Sequence, residues 1–167
     1  MLGGGLKTTP LGIIGESIMR EEMEILLELF KDQMIHARHH EQLRATVSNI
    51  MITISGVIIG FIVFDESINK SDTAAILFLI ILGIFGTFIS MKHYQHLRRH
   101  QNRAEKYRDN IEKLFPNLEI KKWLSEALEQ NQSDFPILSK LRLHTFWSVL
   151  HILIVLIGIY LFVILYC

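Results

Sequence analysis

Six of the eight histidines fall into two groups, His36, His39 and His40 in one and His93, His96 and His100 in the other. Spacings of three and four bring members of a group onto one helix face, the arrangement imidazole ligands of zinc or another borderline metal require. His36, His40, His96 and His100 are the candidate ligands, with zinc the candidate ion. The same cluster suits a protonation switch, because imidazole titrates near neutral pH. Arg38, Arg44, Arg98 and Arg99 are interleaved with the histidines. Their charge disfavours both metal binding and imidazole protonation, and suits contact with anionic lipid headgroups instead. Arg44, Lys92, Arg98 and Arg99 are the candidate headgroup contacts.

A second constellation is weakly polar. Thr46, Asn49, Thr53, Gly56 and Gly60 recur at spacings of three and four inside an apolar stretch, and Gly83, Gly86, Thr87 and Ser90 do the same further on. In lipid, helices associate through close backbone approach and interhelical hydrogen bonds, which favour small and weakly polar residues, GxxxG among them. The two stripes are therefore expected either to join helices within the chain or, if several chains assemble around an axis, to line a narrow pore. Asn49 carries the pore alternative, because a side-chain amide in hydrocarbon needs a partner or water. His40 lies about 120° from Thr46 around an ideal helix, so the histidines and this stripe need not share a seam. His151 stands alone inside another apolar stretch. An ionisable residue at that depth is a functional candidate, and its structural alternative is a neutral ring bonded to Asn49, Thr87 or a backbone carbonyl.

The elements that must position these residues are legible as long uncharged runs. Residues 45–64, 73–91 and 145–166 hold 20, 19 and 22 residues with no Asp, Glu, Lys or Arg. At about 1.5 Å per helical residue each covers the roughly 30 Å hydrocarbon core. Three buried helices of a soluble bundle would each show a charged face, which these runs lack. The expectation is an all-α membrane protein: a transmembrane hairpin whose arms extend as a helical stalk, plus a third transmembrane helix.

Between the first two runs lies "DESINKSD", residues 65–72, whose only basic residue is Lys70. Basic residues crowd the opposite ends: Arg38 and Arg44 before the first run, Lys92, Arg98, Arg99 and Arg103 after the second, Lys140 and Arg142 before the third. The positive-inside rule puts the N-terminus and residues 92–144 in the cytoplasm, with the 65–72 turn and Cys167 outside. Trp147 near the inner boundary and Tyr160 and Tyr166 near the outer one fit that orientation.

Residues 1–15, rich in Gly and with Pro10, read as a flexible leader without a cleavage site. Ser17 is the expected N-cap of an amphipathic helix over 16–44, with Glu21, Glu22 and Glu24 loading its first turn. Met19, Met23, Leu26 and Phe30 mark its apolar face, and no breaker separates it from the first span. A second stalk helix over 92–115 is marked by Tyr94, Leu97, Ala104, Tyr107, Ile111 and Leu114 and ended by Pro116. Asn117 is expected to cap a short helix bearing Trp123, Leu124 and Leu128 within 117–144, with "NQSDFP" as a loop. A stalk of this kind packs by heptad-like, coiled-coil seams, within the hairpin or between chains. With the turn centred near Ile68, residues whose numbers sum to about 136 share a depth. Thr46 is then level with Ser90, Asn49 with Thr87, Thr53 with Gly83, His40 with His96, and His36 with His100.

Cys167 is the single cysteine, so no disulfide framework or cysteine-rich metal site is encoded. No phosphate loop, HExxH, GxSxG or paired-carboxylate motif occurs, and an enzyme is not expected. The basic stretch 92–108 adjoins an apolar run, making anionic lipid a simpler partner than nucleic acid.

A helix leading into "ATVSNIMITISGVIIGFIVF", a short acidic turn, and a second span continuing into "MKHYQHLRRHQNRAEKYRDNIEKLF" resembles the small two-transmembrane, SLATT-like effector modules of bacterial conflict systems. The resemblance covers about residues 20–115, rests on layout, and assigns no residue a role; the third span is a departure from the two-span pattern. It implies a homo-oligomeric inner-membrane effector that permeabilises the bilayer. Two other functional classes remain open on the residues: a membrane scaffold or sensor whose cytoplasmic stalk binds a partner protein, and a small metal or proton transporter using the clustered histidines and His151.

Overall fold

The computed structural model describes residues 10–64 and 68–167, with side chains described from residue 15 onward. Residues 1–9 of the expected leader and Asp65, Glu66 and Ser67 of the expected turn lie outside the described residues. The described residues form four α-helices: α1 (Pro10–Phe64), α2 (Thr73–Leu114), α3 (Ile120–Asp134) and α4 (Leu143–Tyr166). Short 3-10 turns at Lys70–Asp72, Pro116–Leu118 and Leu138–Lys140 link them. No strand occurs among the described residues. The fold is an all-α membrane protein, with three helices long and apolar enough to cross a bilayer.

The 55 residues of α1 extend about 80 Å. Its uncharged run accounts for about 30 Å of that, so the rest projects as one arm of a stalk. The second half of α2 is the other arm. Helix α2 is the middle element, packed along α1 on one side and α4 on the other, while α1 and α4 meet little. The Thr73 hydroxyl lies 3.2 Å from the Tyr166 hydroxyl, fixing the start of α2 beside the end of α4. The three long helices therefore alternate in direction.

Buried positions on α1 alternate by fours and threes through Arg44, Ser48, Met51 and Ser55. Those on α2 run Ile76, Leu79, Gly83, Gly86 and Ser90, continuing to Leu97 and Ala104, and those on α4 run His151, Ile154, Gly158 and Leu161. Each helix thus buries one narrow stripe and leaves the remaining apolar surface facing outward. At the turn end Ile62, Ile76, Leu79, Ile154 and Leu161 form the apolar core. The turn is capped by its own side chains: the Asn69 carboxamide accepts from the Ser71 amide at 3.0 Å, and the Asp72 carboxylate accepts from the Asn69 amide at 2.9 Å.

Several expected boundaries shift. Helix α1 begins at Pro10, so residues 10–15 are helical and Ser17 lies inside the helix rather than at its N-cap. Proline at the first helical position gives up an N–H that has no intrahelical acceptor, which makes Pro10 a natural start. Glu21, Glu22 and Glu24 accordingly fall beyond the first turn. Asn117 sits within a 3-10 turn, and α3 starts after Glu119, which adopts left-handed backbone at φ 44°. The Asn131–Asp134 part of the expected loop is the last turn of α3, because nothing before Phe135 and Pro136 interrupts helical hydrogen bonding.

Candidate functional site

Within the apolar layer, one imidazole ties three helices together. His151 of α4 is 0% exposed, and its Nε2 lies 3.0 Å from the hydroxyl of Ser48 on α1, itself 2% exposed. The ring rests against Gly86 of α2, where an added Cβ would overlap it, 2.7 Å from Cε1 and 2.9 Å from Cγ. Its Nδ1 is buried without a partner among the described residues. The hydrogen-bonding partner is thus Ser48, in place of the expected Asn49, Thr87 or backbone carbonyl. A serine–histidine pair is the elementary unit of nucleophilic catalysis, but here both groups are closed in by helix, so the contact works as a polar clasp.

The glycines of α2 and α4 bring backbones close. A Cβ on Gly83 would lie 2.9 Å from the His151 carbonyl oxygen and 2.7 Å from Val155 Cγ2, and one on Gly158 would lie 2.6 Å from Ile80 Cγ1. Gly83, Gly86 and Ser90 are buried, as a packing stripe on the second span requires; half-buried Thr87 returns its hydroxyl to the Gly83 carbonyl at 2.9 Å.

The stripe on the first span is different. Thr46, Asn49, Thr53, Gly56 and Gly60 are all exposed, and a Cβ on Gly56 or Gly60 would meet nothing within 4 Å. Within one chain these residues do not face Ser90, Thr87 and Gly83, so the expected matched layers are not formed. On an ideal helix their stripe lies about 150° from the one that α1 buries. The physical reason is that Ser48 and Ser55 are small and weakly polar too; Ser55 bonds the Met51 carbonyl at 2.8 Å. Both sides of α1 can accept a close neighbour, and the side bearing Ser48 meets His151.

Beyond the uncharged runs, the histidines meet as the depth arithmetic expects. His40 stacks on His96 with ring centroids 5.0 Å apart and on His100 at 5.5 Å, and His36 stacks on His100 at 5.2 Å. His93 leans on His40 at 5.8 Å, and His100 Nδ1 lies 2.8 Å from Gln33 Oε1. Burial first, then the neighbouring imidazoles His96, His100, His93 and His39, holds His40 below the ordinary value. His100 is held down likewise by burial, then by His36, Arg103, His96 and Arg99. Stacked rings present faces to one another rather than nitrogens to a common point. Accordingly, among the described residues no group of three or more His, Cys, Asp or Glu side chains is placed to hold a metal ion. A zinc ion at His36, His40, His96 and His100 requires rings turned out of this stack.

Of the expected headgroup contacts, Lys92, Arg98 and Arg99 are exposed. Arg44 is not: it is 2% exposed in the α1–α2 seam, with Nη2 3.5 Å from Glu41 Oε1 and with Nε and Nη1 unpartnered among the described residues. Beside it Tyr94 stacks on His144 with centroids 3.9 Å apart, joining α2 to the start of α4. Ser48, the burial of Arg44 and the Tyr94–His144 stack are the features sequence reasoning missed. The spacing of Arg44, Ser48, Met51 and Ser55 was the available signal. Comparison with known protein families, curated proteins and solved structures gives no match for this chain.

Proposed function

We propose that the protein is a homo-oligomeric effector of the bacterial inner membrane, whose copies meet through the outward stripe of α1 and together perturb the bilayer. The stalk then lies in the cytoplasm and the Asn69–Asp72 turn outside, following the positive-inside bias of the basic residues. The observation that supports this reading is Asn49. It lies within the first uncharged run, faces away from α2 and α4, and its carboxamide has no partner among the described residues. In hydrocarbon an amide without a partner is costly, and Gly56 and Gly60 on the same face allow a second backbone to approach. A second chain satisfies both conditions, and several chains around an axis place Asn49 and Thr53 on a wet inner surface.

The test is oligomeric state in detergent together with membrane potential in expressing cells. Wild-type protein is expected to assemble and to depolarise cells, while Asn49→Leu and Gly56→Leu give folded monomers that do not. Three helices are too few to enclose an aqueous path, so a strict monomer in detergent and bilayer refutes the proposal; so do variants that depolarise like wild type.

A second reading, a scaffold or sensor that binds a partner protein through the stalk, is favoured by α3. Its Trp123, Leu124 and Leu128 are exposed beyond the membrane layer. Expression without depolarisation, with one partner lost on Trp123→Ala, supports that reading over the first.

A further inference from the structure

Where α2 leaves the apolar layer beside the start of α4, an open groove of about 1030 Å³ lies along the two helices. The two ends of this groove differ in chemistry. At its membrane end lie Met91 and Ile152, both exposed, with Ser90 and Ser148 also in the lining. At its stalk end lie Arg98, Arg99, Arg103 and Lys106, and no Asp or Glu lines it anywhere. None of these four cations has an ion-pair partner among the described residues; Arg98 donates only to the Gln101 carboxamide, at 3.2 Å.

A further positive charge is buried behind the wall of the groove. Tyr94 and His144 line the groove, and both lie within electrostatic range of Arg44. Among the described residues that guanidinium, 2% exposed, has two nitrogens without partners and a single carboxylate contact, long at 3.5 Å. A buried cation this poorly paired is costly unless an anion comes near. Arg98 and Arg103 stand about 10 and 18 Å along the helix from Met91, within reach of a headgroup once their side chains bend toward the bilayer. A free phosphate gains nothing from the Met91–Ile152 end, whereas an acyl chain does.

We propose that this groove binds one anionic phospholipid from the leaflet on the stalk side, with its phosphate among Arg98, Arg99 and Arg103 and an acyl chain along Met91 and Ile152. Guanidinium forks suit phosphate oxygens, and basic pockets between spanning helices are a recurrent way to hold such headgroups. The site is complete in one chain; it needs only that the helices cross a bilayer and stands whether or not chains assemble.

Full-length protein is stripped of lipid in a neutral detergent and titrated separately with phosphatidylglycerol, phosphatidylcholine, glycerol phosphate and inorganic phosphate, reading thermal stability and lipid retained per chain. Phosphatidylglycerol is expected to raise the melting temperature saturably, with about one lipid held per chain, while the other three leave it unchanged. Arg98→Gln with Arg103→Gln, at exposed positions, is expected to weaken that response about tenfold or more, and Lys121→Gln with Lys122→Gln, on the remote α3, to leave it intact. Equal stabilisation by phosphatidylcholine, or by either soluble phosphate, overturns the proposal. So does an undiminished response in the Arg98/Arg103 variant, or an equal loss in the Lys121/Lys122 variant, which marks unspecific charge attraction. Oligomeric state does not enter the readout, so failure here is distinct from failure of the assembly proposal.

Discussion

Replacing Gly86 with alanine tests the three-helix clasp at its tightest point. The new methyl group overlaps the His151 ring, 2.9 Å from Cγ, and His151 has no free space because its backbone is held equally close by Gly83. Forcing a methyl into a packed contact costs about 1–3 kcal/mol. Displacing the ring also strains the 3.0 Å bond to Ser48, and hydrogen bonds between spanning helices are worth about 0.6–1.7 kcal/mol. Together the expected loss is about 2–4 kcal/mol, or about 30- to 1,000-fold in the folding equilibrium. Gly56→Ala is the matched control, since its methyl meets nothing within 4 Å, and a change of less than about 0.5 kcal/mol is expected. The assay is reversible unfolding in mixed micelles at a protein dilution where chains are monomeric. If Gly86→Ala is no more destabilising than Gly56→Ala, the packing of α2 against α4 through His151 is wrong.

Three further outcomes follow from the same geometry. Ser48→Ala leaves His151 buried without a partner and is expected to cost about 1–3 kcal/mol, and the cycle with His151→Leu is expected to return a coupling of about 0.6–1.7 kcal/mol; additive single effects refute the bond. His40 and His100 are depressed below the ordinary imidazole value of 6.5, so between the folded and unfolded values the unfolded stalk binds more protons. The contribution is complete above about pH 6.5 and declines as the pH falls below it, so spin labels on exposed Ile35 and Arg99 should show a broadened distance near pH 5 and a narrow one near pH 7.5; an unchanged distribution contradicts the stacked seam. Arg44→Met removes a buried, poorly paired charge and is expected to stabilise lipid-free protein in detergent by about 1–4 kcal/mol, whereas destabilisation on that scale would mean the guanidinium is well compensated within the chain.

The three spans, the stalk and the level of each histidine were readable from residue types because charge-free length and a short turn fix them. His40 meets His96 and His36 meets His100 because a hairpin turned near Ile68 sets register for every pair above it. Which side of α1 packs was not readable in the same way. In water, a polar face marks the outside of a helix; in hydrocarbon, Ile50 and Val57 suit lipid as well as they suit protein, so hydropathy carries no directional signal. Small residues are the remaining guide, and α1 has them on both sides, Ser48 and Ser55 on one and Thr53, Gly56 and Gly60 on the other. GxxxG is the more conspicuous pattern, yet the serines hold the contact with α2 and α4, because Ser48 can bond His151. The sequence held that clue only as a pairing 103 residues apart.

Two sides of α1 able to approach another helix, and only one of them used within the chain, set the physical problem this protein must solve. Helix α4 packs on Gly83 and Gly86 of α2, reaches α1 through the His151–Ser48 contact, and otherwise makes little contact with α1. The third span therefore completes the inward contact and leaves the Asn49–Gly60 surface open. Ordinary lipid-facing residues carry no penalty for that exposure, and Ile50, Val57 and Phe61 are of this kind. Asn49 is not, since its amide loses hydrogen bonds with water and finds none in hydrocarbon. The cost is removed by another helix or by water reaching the same depth, and the homo-oligomer proposed above would supply both. If chains assemble as proposed, Asn49→Leu gives the lone chain a more comfortable surface in lipid while removing the polar contact that draws copies together, so monomer stability is expected to rise while oligomer formation and depolarisation fall.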